Sequence, residues 1–219
     1  ERLTPIVRNV ASEYVKCEHH IGKVELTFFS TFPHFGLAID SIIVVNPMEG
    51  APSDTVAHIP HAVVSVDMLA FLNEKTLSIP TLSIPDIQAN VYIAADGQAN
   101  YDILALPEDT TAEDTTAFVL PFDKIVVGEL VVSAKSLQYV NLPDSIHAEL
   151  CDVGIDAEVN NWKDILLTLG IGSIDATLGA NTYAQGVRLQ TTLPIGVDLS
   201  KMRVSMRDAH IAVNNLSMA

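Results

Sequence analysis

Cysteine and positive charge are scarce in this chain of 219 residues. The two cysteines, Cys17 and Cys151, are too few for a disulfide framework and form no CxxC pair, and the sequence leaves open whether they pair with each other. Lysine and arginine number 12 against 27 acidic residues, which gives a net charge of −15. Nucleic acids and anionic lipid headgroups are bound by clustered Lys and Arg. The charge balance therefore predicts no nucleic-acid partner and no docking onto anionic headgroups.

Long hydrophobic runs are also missing, and no apolar stretch is long enough to predict a membrane-spanning helix. Hydrophobic residues nevertheless make up 48% of the chain, and the mean hydropathy is +0.30. These apolar side chains are expected to fill a core or to line a groove. The chain opens on Glu1 without a signal peptide, which we interpret as an N-terminus that has been removed.

Apolar spacing divides the chain into a short helical part and a long strand-rich part. Helical periodicity predicts a first helix over 3–18, a second over 62–75 and a short third one over 161–170. The β-branched start of the second segment fits a strand equally well. Turn signals, the last of them at 193–196, separate runs of period-two alternation. These runs predict strands over 22–29, 37–45, 76–84, 87–94, 124–132, 136–141, 146–160, 171–182, 187–194 and 203–213.

The pattern predicts a mainly β fold with a few helices (α+β), namely a long antiparallel, curved, meandering sheet that follows an N-terminal helix. Alternating helix–strand units, which would give a parallel sheet, do not occur. We expect a helix-then-strand module over 1–106, a polar acidic loop over 107–123, and a β-rich segment over 124–219 that continues the same sheet. Alternation alone does not distinguish an open groove from a closed core, so both remain.

The stretch TLSIPTLSIP, residues 76–85, repeats five letters and closes each copy with proline. Proline cannot donate to a strand ladder and is confined in sheets to edges, strand starts and bulges. A bulge near Pro80 and Thr81 would place the apolar residues of both copies on one face. The repeat therefore predicts a bent strand in a curved sheet.

Motifs for catalysis and metal binding are missing. Among the seven histidines, His19 and His20 are adjacent, and His58 and His61 flank a proline, but no third ligand is placed near either pair. No nucleophile elbow and no acid–base constellation appears. The sequence therefore predicts a non-enzymatic protein without metal or cofactor.

Four segments of residues 1–106 follow one another along the chain: IGKVELTFF, FPHFGLAIDSIIVVNP, VDMLAFLNEKTLSI and LSIPDIQANVYIAADGQANYDIL. The most diagnostic positions are Asp96, Gly97, Asn100 and Tyr101, in the motif D-G-x-x-N-(W/Y)-x-(I/F)-L. In this order the segments resemble the AsmA family of Gram-negative envelope proteins.

The resemblance implies a periplasmic protein anchored in the inner membrane by an N-terminal helix that is absent from this chain. It also implies passage of phospholipid along a groove whose apolar side chains contact the acyl chains. The alternative is a closed β module that contacts outer-membrane assembly proteins through its loops or edge strands. We expect twelve apolar residues to line the groove or core: Val24, Leu26, Phe28, Leu37, Ile39, Ile43, Leu82, Ile84, Val91, Ile93, Ile125 and Val127.

Overall fold

The computed structural model describes residues 3–27, 34–74, 76–103, 124–161, 163–198, 203–206 and 210–214. Strand accounts for 74% and helix for 7%, which confirms the prediction of a mainly β fold with few helices. Phe28 and the predicted acidic loop over 107–123 lie outside the described residues.

Two helices and eleven strands follow one another in the described part of the chain. Most of the strands are long, and several run to 15 residues or more. The elements are α1 (Leu3–Tyr14), β1 (His19–Ile21), β2 (Val24–Thr27), β3 (Phe35–Val45), β4 (Thr55–Val66), α2 (Met68–Glu74), β5 (Thr76–Ile93), β6 (Lys124–Asn141), β7 (Ile146–Asn161), β8 (Asp164–Leu178), β9 (Asn181–Asp198), β10 (Arg203–Met206) and β11 (His210–Asn214).

All eleven strands belong to one open, curved sheet. From β3 to β9 each strand pairs with the next along the chain, while β1 and β2 share one edge of β3, and β10 and β11 share one edge of β9. The strands after residue 124 therefore continue the sheet that the earlier strands begin. The pairs are antiparallel except for β5 and β6, which run parallel. The predicted antiparallel pairing therefore holds for every described pair of strands but this one.

The predicted third helix over 161–170 is wrong, because Asn161 ends β7 and Asp164 begins β8. Each apolar residue on one side of the new strand finds an apolar partner across the ladder, as Leu167 does opposite Ala157. Such cross-strand pairs stabilise a strand over a short stretch that has helical spacing.

Two other predicted boundaries also move. The predicted turn at 193–196 lies inside β9, where Pro194 is opposite Leu166. The predicted second helix begins only at Met68, because residues 62–66 belong to β4.

Helix α1 covers one edge of the sheet with side-chain hydrogen bonds. Arg8 Nε donates to the Ile21 carbonyl at 2.7 Å, and an Arg8 terminal nitrogen donates to the Gly22 carbonyl at 3.3 Å. The Val24 N–H donates to Thr4 Oγ1 at 3.1 Å. These contacts occupy backbone groups that an uncovered edge strand would offer to another chain.

The turn after β5 is built around Asn100, whose side chain is fully buried. Its Oδ1 accepts a hydrogen bond from the Tyr92 N–H at 2.9 Å, and its Nδ2 donates to the Asn90 carbonyl at 2.7 Å. Gly97 has φ +86°, a conformation that glycine adopts readily. Asp96 Oδ1 accepts from the Gln98 N–H at 3.0 Å. The motif that carries the AsmA resemblance thus has a structural role as a turn.

Replacing Asn100 with alanine is expected to lower the free energy of unfolding by about 1–3 kcal/mol, because the Tyr92 N–H and the Asn90 carbonyl lose their side-chain partner. Denaturant unfolding followed by circular dichroism measures this change. Gln98→Ala, at an exposed position of the same turn, is the control. Equal unfolding midpoints for the two variants would contradict the role given to Asn100.

Candidate functional site: the apolar face of the sheet

Cross-strand register assembles the apolar side chains of β3–β9 on one side of the sheet, which we call the apolar face. Residues directly opposite one another in a ladder project to the same side, so the pairings can be followed from strand to strand. One complete row of paired residues runs Leu37, Val64, Leu82, Leu130, Ala157, Leu167 and Leu193.

A second complete row lies nearer the other strand ends and is equally apolar. Each of its members pairs with the next across the sheet, and none carries a charge or a hydrogen-bonding group. The row runs Val44, Ala57, Ala89, Leu137, Leu150, Ile174 and Val187.

Between these two rows the alternation of every strand from β3 to β8 shifts by one residue. In β7, Val153 and Ile155 lie on the same side as Ala157 of the first row, and the next residue on that side is Leu150 of the second row. Val153 and Leu150 are therefore three residues apart instead of two. The ladder between β6 and β7 accordingly has no pair at Lys135 and Asp152, and Asp152 has φ +51°. A residue with positive φ reverses the direction in which the next side chains point, so the apolar residues stay on one side.

The same shift occurs at one level across six neighbouring strands, and we call this line of residues the crease. Ser41 and Asp86, on β3 and β5, also have positive φ, of 59° and 57°. The register places one residue of each intervening strand at the same level. The crease consists of Ser41, Pro60, Asp86, Lys135, Asp152 and Gly172.

The crease places one predicted site residue on the opposite side. Plain alternation groups Ile43 with Leu37 and Ile39, but positive φ at Ser41 turns Ile42 to the apolar face instead. Ile43 pairs with His58 on the other side of the sheet. The prediction that Ile43 shares a face with Leu37 is therefore wrong.

The proline repeat is straight where a bend was expected. The register of β5 with β6 does not shift at Pro80; it shifts between Ile84 and Ile87 and again between Ile87 and Gln88. Ile79 therefore lies on the side of the sheet opposite to Ile84, and the prediction of a bulge near Pro80 and Thr81 is wrong. The irregularity comes five residues later, at the second proline of the repeat, where Asp86 has positive φ.

The remaining predicted residues divide between the two sides. Val127 pairs with Ile79, and both lie on the side of the sheet opposite to the apolar face. Ile125 pairs with Leu77, but its side chain is not among those that the structure describes. The apolar face unites the following predicted residues: Val24, Leu26, Leu37, Ile39, Leu82, Ile84, Val91 and Ile93.

Sequence reasoning missed Ile42 and Val44, and it missed every contribution from β7 to β9. The three-residue spacing of apolar residues, as from Ile39 to Ile42 and from Leu150 to Val153, is the signal that could have found them.

Among the residues that the structure describes, no second layer of strands covers the apolar face. The members of its two complete rows are half-buried with the exceptions of Ala157 and Val187, which are buried. Among the described residues eight apolar ones are buried: Ile21, Val24, Val56, Tyr92, Ala134, Val153, Ala157 and Val187.

The opposite side of the sheet, which we call the polar face, carries paired polar residues. Glu149 and Asp175 lie directly opposite one another on β7 and β8. Glu149 Oε1 accepts hydrogen bonds from Ser136 Oγ and Gln138 Nε2, both at 3.2 Å. Because these carboxylates are held by neighbouring side chains and backbone, we assign them a structural role.

Two titratable groups of the polar face have shifted pKa values. The Ser173 hydroxyl, at 2.7 Å, and the Gly186 N–H, at 2.9 Å, donate to the Asp175 carboxylate and lower its pKa. Desolvation, followed by the charge of Glu149, raises the pKa of the Cys151 thiol. A thiol with a raised pKa is a weak nucleophile at neutral pH. Cys17 and Cys151 are both free.

The histidines on β4 are brought to one side by the crease. His61 Nδ1 lies 2.8 Å from Asp40 Oδ1, and His58 pairs with Ile43 on the same side. In the part of the chain that the structure describes, no three His, Cys, Asp or Glu side chains come together in a geometry that could hold a metal ion.

No protein-family model matches this chain, and comparison with curated proteins and with solved structures gives no match either. None of the described helices has the length and the apolar composition needed to cross a membrane.

Replacing Ile155 with lysine is expected to abolish most binding of an apolar fluorescent dye, because a charge then lies in the middle of the apolar face. Asp156→Lys introduces the same group at the next residue, on the polar face, and should leave dye fluorescence unchanged. Fluorescence titration measures both variants, and circular dichroism verifies that both are folded. An equal loss in the two variants would show that the faces are assigned wrongly.

Proposed function

We propose that this chain is a non-enzymatic module that binds phospholipid through its acyl chains on the apolar face. The observation that carries the proposal is the pair of uncharged rows that cross seven strands, from β3 to β9, and that no second layer of strands in the described part of the chain covers.

The chemistry of the apolar face favours hydrocarbon over other occupants. A sugar, a nucleotide or a polar peptide would place donors and acceptors against side chains such as Leu130, Leu137 and Leu150, which cannot hydrogen-bond, at a substantial free-energy cost for each unpaired group. An acyl chain has no such requirement. It gains about 0.8 kcal/mol for each buried CH₂ group, and the same contact removes half-exposed leucine and valine from water.

The resemblance of residues 1–106 to AsmA proteins indicates where in the cell this lipid binding would take place. It favours a periplasmic protein that is anchored to the inner membrane in its full-length form and that passes phospholipid between membranes. Within this proposal the side chains of Leu37, Leu82, Ile84 and Val91 contact lipid. The turn around Asn100 has a structural role at the end of β5.

A photo-crosslinking amino acid at Leu137 is expected to form covalent adducts with phospholipid, because this position lies on the apolar face. The same amino acid at Gln138, one residue along on the polar face, serves as the matched control and should give none. The chain is purified gently and its mass is measured under native and denaturing conditions. Equal adducts at both positions, or none at Leu137, would sink the proposal.

A second candidate function is interaction with an outer-membrane assembly protein, and the edge formed by β10 and β11 favours it. Val204, Met206, Ile211 and Val213 are exposed there. The register places Met206 opposite Ile195, so the apolar face runs out to this edge. An exposed amphipathic edge is suited to the addition of a strand from another protein.

Under this second candidate, a photo-crosslinking amino acid at Val213 is expected to give protein adducts in envelope extracts, and Ile211→Lys should remove most of them, because a charge on an edge strand opposes strand addition. Gel analysis and mass spectrometry distinguish protein from lipid adducts. Lipid adducts alone at Val213, or protein adducts that persist in the Ile211→Lys variant, would exclude strand addition at this edge.

A further inference from the structure

The crease lies at one level of the sheet across six consecutive strands. The residues with positive φ are on alternate strands, at Ser41, Asp86 and Asp152. A bulge or a left-handed residue bends the strand that contains it. When such bends are aligned from strand to strand, they bend the whole sheet along a line perpendicular to the strands.

Specific contacts hold this conformation in place. The Asp86 N–H donates to Ser133 Oγ on β6 at 2.9 Å. Gly172 lies opposite Asp152, and a Cβ on this glycine would come within 2.9 Å of the Asp152 Cβ. Glycine is therefore required on β8 beside the left-handed residue of β7.

The alternation of apolar residues differs between the two halves of each strand. In β7 the apolar residues are Ala157, Ile155 and Val153 on one side of the crease and Leu150 and Ala148 on the other. If the side chains change direction at the crease, each half keeps its polar residues on one side of the sheet and its apolar residues on the other.

We infer that the crease is what makes the apolar face continuous across both halves of the strands. The inference rests on the proposed function and extends it to the residues that position the lipid-binding side chains. With plain alternation, Leu150 and Ile155 would project to opposite sides of β7, because they are five residues apart. The two halves of the strand would then no longer present apolar side chains to the same acyl chains. Asp152 is a positioning residue in this scheme and does not contact lipid.

The test compares substitutions that differ in their tolerance of positive φ. Valine at position 152 strongly disfavours the left-handed conformation, whereas glycine adopts it readily. Asp156→Val places the same β-branched residue on the polar face of the same strand, at a position without positive φ. The full chain carries the photo-crosslinking amino acid at Val132 or at Leu137, which lie on the two sides of the crease on the adjacent strand β6.

Asp152→Val is expected to lose the phospholipid adducts at Leu137 and to retain those at Val132. Asp152→Gly and Asp156→Val should retain both. The inference is overturned if Asp152→Val keeps both adducts, or if either control variant loses the adducts at Leu137 to the same extent. Should Asp152→Val fail to fold, Gly172→Ala decides in its place. The ratio of adducts at Leu137 to those at Val132 is then expected to fall, and an unchanged ratio would overturn the inference.

A failure of the proposed function gives a different result. If the unsubstituted chain forms no lipid adducts at either position, phospholipid binding is excluded and the crease is tested without lipid. Single cysteines at Leu137 and Gln138 are alkylated with a charged reagent, in a background in which Cys17 and Cys151 are alanine. In the otherwise unsubstituted chain, the cysteine at position 137 is expected to be alkylated more slowly than the cysteine at position 138. Loss of this difference in Asp152→Val, together with its retention in Asp152→Gly, would support the role given to the crease. Equal rates in all three chains overturn it.

Discussion

The strict alternation of side chains along a strand is the constraint on which this structure depends. A single sheet with one apolar face requires every strand to place its apolar residues on the same side over its whole length. The strands β5 to β8, of 15 to 18 residues, achieve this in two halves, with one left-handed or unpaired residue between them. Because neighbouring strands make the change at the same level, the antiparallel ladders from β3 to β5 and from β6 to β8 keep their register across the crease.

The charge distribution follows from the same division. Acidic residues such as Asp156, Glu158 and Glu149 lie on the polar face, and Glu129 is directly opposite Glu158. Like charges placed this close oppose stacking of two sheets through their polar faces. The net charge of −15 therefore helps to keep a one-layer sheet with a half-exposed apolar face in solution.

The sequence was sufficient for the β class, for α1 and for most of the apolar side chains, because these depend on periodicity over many residues. It was not sufficient for the crease, because positive φ at Ser41, Asp86 or Asp152 is a local choice that common strand and turn residues can make. The error at Ile43 followed directly from this. The parallel pairing of β5 with β6 was also out of reach, since it depends on the path of the chain between them and not on either strand's own pattern.

The two edges of the sheet differ in what covers them. At the first edge, Arg8 and Thr4 of α1 occupy backbone groups of β1 and β2, and Val24 is fully buried. At the other edge, the apolar face continues from β9 onto exposed residues of β10 and β11, among them Met206 and Ile211. Side chains of a helix thus occupy backbone groups at the first edge, whereas the described strands at the second edge present exposed apolar side chains, so the second edge is the better suited of the two to the addition of another strand.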